Sequence, residues 1–150
     1  MSAPGDVEAM CDAHHKAIDA YWSSIGNTNN DLLAYCINPQ FLGAPPWPNM
    51  RQAYRIVRTP KTLILASDGL SDVVAENGRF GLGMEVCIEV KGLQDLAFDE
   101  IKDHWVLSAI ENMARNVADV CFHNYFTLLL GTCVLPGFQC EQCCNVPWQC

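Results

Sequence analysis

Asp68 and Asp72 bracket Gly69, Leu70 and Ser71 in the stretch ASDGLSD, and Ser67 and Ser71 alternate with them. A hydroxyl beside a carboxylate is the raw material of nucleophilic catalysis, and paired carboxylates serve acid–base work. Neither serine stands in a Gly-x-Ser-x-Gly elbow, and the four histidines have no spacing that pairs one of them with a serine. Glu85 and Glu89 lie four apart in LGMEVCIEV, on one side of a strand. Acid–base chemistry and a solvated sheet face both place carboxylates in this way. Asp-Gly is a chain-reversing pair, and Ser and Asp side chains satisfy loop amides. The stretch therefore reads as a turn between strands before it reads as a site, and no catalytic residue and no enzyme activity are expected.

Gly78, Gly81 and Gly83 do not form a nucleotide loop. Their order is the reverse of the dinucleotide fingerprint, and a strand follows where a helix N-terminus has to receive phosphate. Metal chemistry has more support. Cys140 and Cys143 form a C-x2-C pair, Cys144 is adjacent, and Cys133 and Cys150 are near. One tight turn of this kind supplies two of the four ligands zinc favours, though a second pair is missing. Cys140, Cys143, Cys144 and Cys150 are the candidate ligands. Cys11, His14 and His15 share one helix face, where His14 also falls on the apolar stripe and suits a core position.

These groups need elements to hold them. Residues 6–25 follow a helical rhythm through Val7, Met10, Cys11, His14, Ile18, Tyr21, Trp22 and Ile25, with Asp6 as cap and Gly26 as stop. A short helix is expected at about 31–36. GAPPWPN, residues 43–49, is extended because proline fixes φ and lacks a donor. Trp47 within it either packs the loop onto the core or forms a rim aromatic for a partner. AYRIVR (53–58) and TLILA (62–66) read as strands joined by a turn. LGMEVCIEV (82–90) reads as a third strand, with Leu82, Met84, Val86, Ile88 and Val90 on one side. The alternation predicts a sheet with one buried and one wetter face. Residues 99–120 read as a long helix. Beyond that the apolar pattern degrades into the Cys-rich segment.

The chain has 150 residues, half of them hydrophobic and 17% charged, and a net charge of −8. That length supports one domain with a real core. The acidity opposes nucleic-acid binding, which needs Lys/Arg clusters, and suits a basic protein partner. No signal peptide and no membrane-length apolar run are evident, so a cytoplasmic location is expected, with reduced cysteines.

The order WPNMRQAYR (47–55), TLILASDGLSD (62–72), GLGMEV (81–86), then a helix bearing Trp105, resembles the suppressor-of-fused-like domain in its compact bacterial form. The resemblance covers about residues 40–120. It implies an α+β domain, with a mixed or antiparallel sheet flanked by helices, and no catalysis. Animal members hold a transcription-factor peptide by strand addition. Bacterial relatives stand beside polymorphic toxins and are regarded as immunity proteins. The expectation is therefore a domain over residues 1–120, a Cys-rich segment over 121–150, and a protein-binding function. Its candidate contacts are Trp47, Asp68, Asp72, Glu85 and Glu89. The alternative is a small zinc-stabilised structural or regulatory protein organised by the terminal cysteines. The segment after residue 120 departs from the family pattern, as a metal clip or as an alternative C-terminus.

Overall fold

A computed structural model describes residues 4–74, 81–123, 134–135 and 138–139. It is an α+β fold in three layers. The central sheet has five strands: β1 (Asn27–Thr28), β2 (Leu33–Ala34), β3 (Ala53–Arg58), β4 (Thr62–Asp68) and β5 (Cys87–Lys91). The order is β1-β3-β4-β5, with β2 also paired to β3, and every pairing is antiparallel. Helix α1 (Pro4–Ile25) lies on one face. Helices α2 (Phe98–Lys102) and α3 (Trp105–His123) lie on the other. Val134–Leu135 (β6) and Phe138–Gln139 (β7) pair as a separate ribbon.

Side-chain alternation divides the interior in two. Tyr54 and Ile56 of β3, and Leu63 and Leu65 of β4, point to Ile101, Val106, Ile110, Ala114, Val117 and Ala118 of α2 and α3. Val57, Ile64, Ala66 and Cys87 point the other way, to Ile18 and Trp22 of α1. Each fully buried side chain of Leu or Ile size contributes about 1.5–3 kcal/mol. Every residue of β4 is buried. Both faces of the sheet are therefore covered, where one wetter face was expected. The physical sign was present in TLILASD, a nearly continuous apolar run, which belongs to a strand covered on both sides.

β3 agrees with its expected range, and β4 starts at Thr62 as expected but runs on to Asp68. Other elements differ. The helix expected at 99–120 is two helices, broken at Asp103, because Lys102 ends α2 and the His104 amide bonds the Ile101 carbonyl at 3.1 Å. The helix expected at 31–36 is instead β2, followed by a 3-10 turn at Pro39–Leu42, capped by Asn38, whose side chain accepts from the Gln40 amide at 2.9 Å. Pairing with β3 over Leu33↔Tyr54 and Ala34↔Ala53 outweighs the local helical pattern. The strand expected at 82–90 begins only at Cys87, since residues 81–86 turn away to meet the loop after β4. Cys11 and Cys36 are free.

Candidate functional site

The loop after β4 is held from three directions. β4 ends at Asp68, and Gly69 follows with φ +143°. A Cβ at Gly69 would lie 2.4 Å from the Arg51 carbonyl oxygen and 3.0 Å from Trp47 Cε3, so only glycine fits. Glu85 then fastens the loop. Its Oε1 accepts from the amides of Gly69 (3.1 Å) and Ser71 (2.9 Å) and from Ser71 Oγ (2.6 Å). Its Oε2 accepts from Ser67 Oγ and from the Leu70 amide (3.3 Å). Ser67 Oγ in turn accepts from the Val86 amide at 2.8 Å. One carboxylate thereby satisfies successive amides that no strand partner could reach.

Arginines hold the two aspartates. Arg51 binds Asp72 through Nε (2.9 Å) and Nη2 (2.8 Å), and the same Nη2 meets Asp68 at 2.5 Å. Arg55 reaches the other Asp68 oxygen at 2.8 Å and Asp19 of α1 at 2.7 Å. From α1, His15 Nε2 stands 3.4 Å from Asp72 Oδ1, and His14 Nε2 stands 3.1 Å from Ser71 Oγ. The bidentate fork of Arg51 matches carboxylate geometry in a way lysine cannot.

Protonation follows from this enclosure. Burial tends to raise the Asp72 carboxyl, but the Arg51 hydrogen bonds and charge outweigh it and hold it below the usual carboxylate range. Burial raises the Glu85 carboxyl, and the Ser67 and Ser71 hydroxyls and loop amides offset that only in part. Burial lowers His14, against the opposing pull of Asp72. Burial would lower Arg51, yet its hydrogen bonds to Asp72 and the charges of both aspartates raise it.

Ser71, His14 and Glu85 include the residue types of a hydrolytic triad, but their order is wrong. In a triad the histidine stands between acid and serine and takes the serine proton. Here the single hydroxyl proton of Ser71 points to Glu85, so His14 Nε2 must donate to that hydroxyl instead of abstracting from it. Ser71 is 1% exposed and His14 4%, which closes the group to a substrate. The arrangement is a structural network linking α1, the end of β4 and the approach to β5.

Of the five residues proposed as contacts from the sequence, three are placed inside the fold. Trp47, Asp68 and Asp72 are all buried. Trp47 packs edge-on against Tyr54, with ring centroids 5.9 Å apart, and so takes the core position of its two readings. Glu85 is the loop's hydrogen-bond acceptor, not a solvated group. Glu89 is exposed, and it accepts from Thr62 Oγ1 at 2.8 Å. Cys140, Cys143, Cys144 and Cys150 lie outside the described residues. Among the described residues, no group of three or more His, Cys, Asp or Glu side chains is placed to hold a metal. No helix among them is long and apolar enough to cross a membrane.

A second region lies on the opposite side of the sheet. Tyr35, Pro39, Ala44, Pro45, Trp47 and Tyr54, with Gln52, Glu111 and Arg115, surround a cleft of about 10 Å3. The Tyr35 hydroxyl donates to Glu111 Oε1 at 2.6 Å, and Tyr35 and Tyr54 meet edge-to-face at 6.4 Å. Burial and the hydrogen bond to Glu111 raise the Tyr35 phenol, and burial pushes Tyr54 up to about 12. Beside the cleft, Ile37, Phe41, Leu42 and Met50 are exposed. Asn38 Nδ2 donates to the Met50 carbonyl, which brings the two ends of this segment together. The segment's signal was in the sequence: residues 32–50 contain no Asp, Glu, Lys, Arg or His.

Fold and site together define a single α+β domain whose acid–base groups are tied to one another beneath its surface. The chain matches no protein-family model, no curated protein and no solved structure.

Proposed function

We propose that the chain is a non-enzymatic protein-binding module, and more narrowly an immunity protein that neutralises a basic toxin by direct binding. The observation that carries this reading is the uncharged segment 32–50, which exposes Ile37 (61%), Phe41 (67%), Leu42 (78%) and Met50 (57%) on a chain of net charge −8. Exposed apolar residues grouped in one charge-free segment are the composition of an interface core, and the acidic remainder is the composition of a rim that steers a cationic partner. The resemblance of residues 40–120 to the suppressor-of-fused-like domain supports the same reading, as does the closed hydrogen bonding of Ser71, His14 and Glu85.

The test is co-expression with the products of the adjoining genes. The expected result is a stable complex with a basic protein whose toxicity to the host the chain suppresses. Toxicity unchanged by the chain, with no complex on a sizing column, would remove the immunity reading. Loss of that complex as salt rises would identify the steering component.

A further inference from the structure

We propose that the cleft beside Gln52 is the anchoring point for an extended apolar segment of a basic partner protein, with a main-chain carbonyl of that segment accepting from Gln52 Nε2. The inference rests on the protein-binding reading and assigns it a site and a ligand chemistry.

Gln52 is only 9% exposed, it lines the cleft, and its Nε2 has no hydrogen-bond partner among the described residues. A buried amide donor without an acceptor is costly, and native folds seldom keep one without a use. What completes it must be an acceptor. The space of about 10 Å3 is of the size that holds one water, which a ligand oxygen of like size would displace. The chain that carries such an oxygen lies outside, and the segment that supplies Pro39, Ala44, Pro45 and Trp47 to the cleft also exposes Ile37, Phe41, Leu42 and Met50. An acceptor oxygen carried by an apolar chain describes a peptide carbonyl between hydrophobic residues. A second copy of this chain is disfavoured, since each copy brings a charge of −8. A segment flanked by Lys or Arg is favoured by that same charge.

The aromatic walls suit the role. Tyr54 and Trp47 are packed edge-to-face and fixed in the core, so the cleft is preformed. Preformed sites lose less entropy on binding.

The probe is a displayed library of random peptides, selected on the full chain and counter-selected on the Phe41→Ser/Leu42→Ser double variant. Both residues are more than half exposed, so the variant keeps its core, which circular dichroism verifies. The expected winners have an apolar centre with basic flanks. Synthesised, they bind Gln52→Leu about tenfold more weakly than the wild type. The Tm of Gln52→Leu is expected to stay level or rise, because the orphan donor is gone. A fall in affinity with an unchanged or higher Tm separates a binding role from a structural one.

Winners that bind the double variant as well as the wild type would overturn the proposal. So would failure to enrich any peptide, or enrichment of acidic ones. Sedimentation of the wild type as a dimer that the double variant loses would assign the surface to a second copy and also overturn it. If a toxin partner is found and binds wild type and double variant equally, this site assignment falls while the protein-binding reading stands. If selected peptides behave as expected but no adjoining gene product binds, the site stands and the immunity reading falls.

Discussion

The two sides of the sheet treat polar groups in opposite ways. On the α1 side, Asp68, Asp72, Arg51, Arg55, Ser71 and Glu85 form a network in which each hydrogen-bonds another. On the α3 side, an uncharged segment together with Glu111 and Arg115 lines a cleft where Gln52 Nε2 has no partner among the described residues. The residues richest in chemistry are closed, and the residues poorest in it are open. Reactive residue types do not by themselves mark a site, since the aspartates and Glu85 already hold partners within the fold, although Arg55 Nε has none among the described residues.

The largest expected effect is at Arg51. Arg51→Met leaves Asp68 and Asp72 as neighbouring buried carboxylates with one cation fewer, and is expected to destabilise by about 3–5 kcal/mol. Denaturant unfolding measures it, and a loss below about 1 kcal/mol would show that the network does not hold the fold. Next in size is Glu85→Gln. The new amide can keep one acceptor, but its NH2 then faces the Leu70 amide and the Ser67 hydroxyl. A loss of about 1–3 kcal/mol is expected from the same measurement.

The pH dependence probes the α1 side without mutation. His14 is lowered in the folded state, so folding disfavours its proton, and stability should fall as pH drops through the ordinary histidine range near 6.5. Asp72 is lowered, so its contribution is present above its ordinary value of 3.8 and is lost as pH falls further. Glu85 is raised, so the folded state binds its proton more tightly, and its contribution weakens as pH rises above 4.5. Chemical denaturation across these windows should therefore show losses on the acid side of 6.5 and again below 3.8 that Arg51→Met makes shallower in the lower window. An Arg51→Met profile parallel to the wild type there would separate Asp72 from Arg51.

The smallest effects belong to the α3 side. Gln52→Leu is expected to stabilise by about 1 kcal/mol, because it removes an unsatisfied donor. Phe41→Ser and Leu42→Ser should each stay within about 0.5 kcal/mol of the wild type, as exposed positions do. A large loss at Leu42 would mean that the segment serves the fold and not a partner.

The sequence alone determined the pieces whose signal is local. β3 was bounded by its apolar pattern and turn residues, and α1 by its period of apolar residues and by Gly26, where a Cβ would meet the Arg58 carbonyl at 2.5 Å. Asp68 and Ser71 were recognised as turn residues because their side chains compete for nearby amides. Four matters were decided only by tertiary structure. Leu33 and Ala34 join the sheet because β3 supplies partners that an isolated helix could not match. Glu85 is enclosed because residues 81–86 bend to meet the β4 loop, and strand periodicity carries no information about that bend. Arg51 and Arg55 join Asp68 and Asp72 because antiparallel pairing of β3 with β4 sets Ala53 against Asp68. His14 and His15 reach Ser71 and Asp72 across 57 positions of chain because α1 lies over that corner of the sheet. Periodicity fixes which way a side chain points, whereas its partner is fixed by packing between elements far apart in the chain. That is why ASDGLSD could be read as a turn from its residues, and as the keystone of a buried network only from the fold.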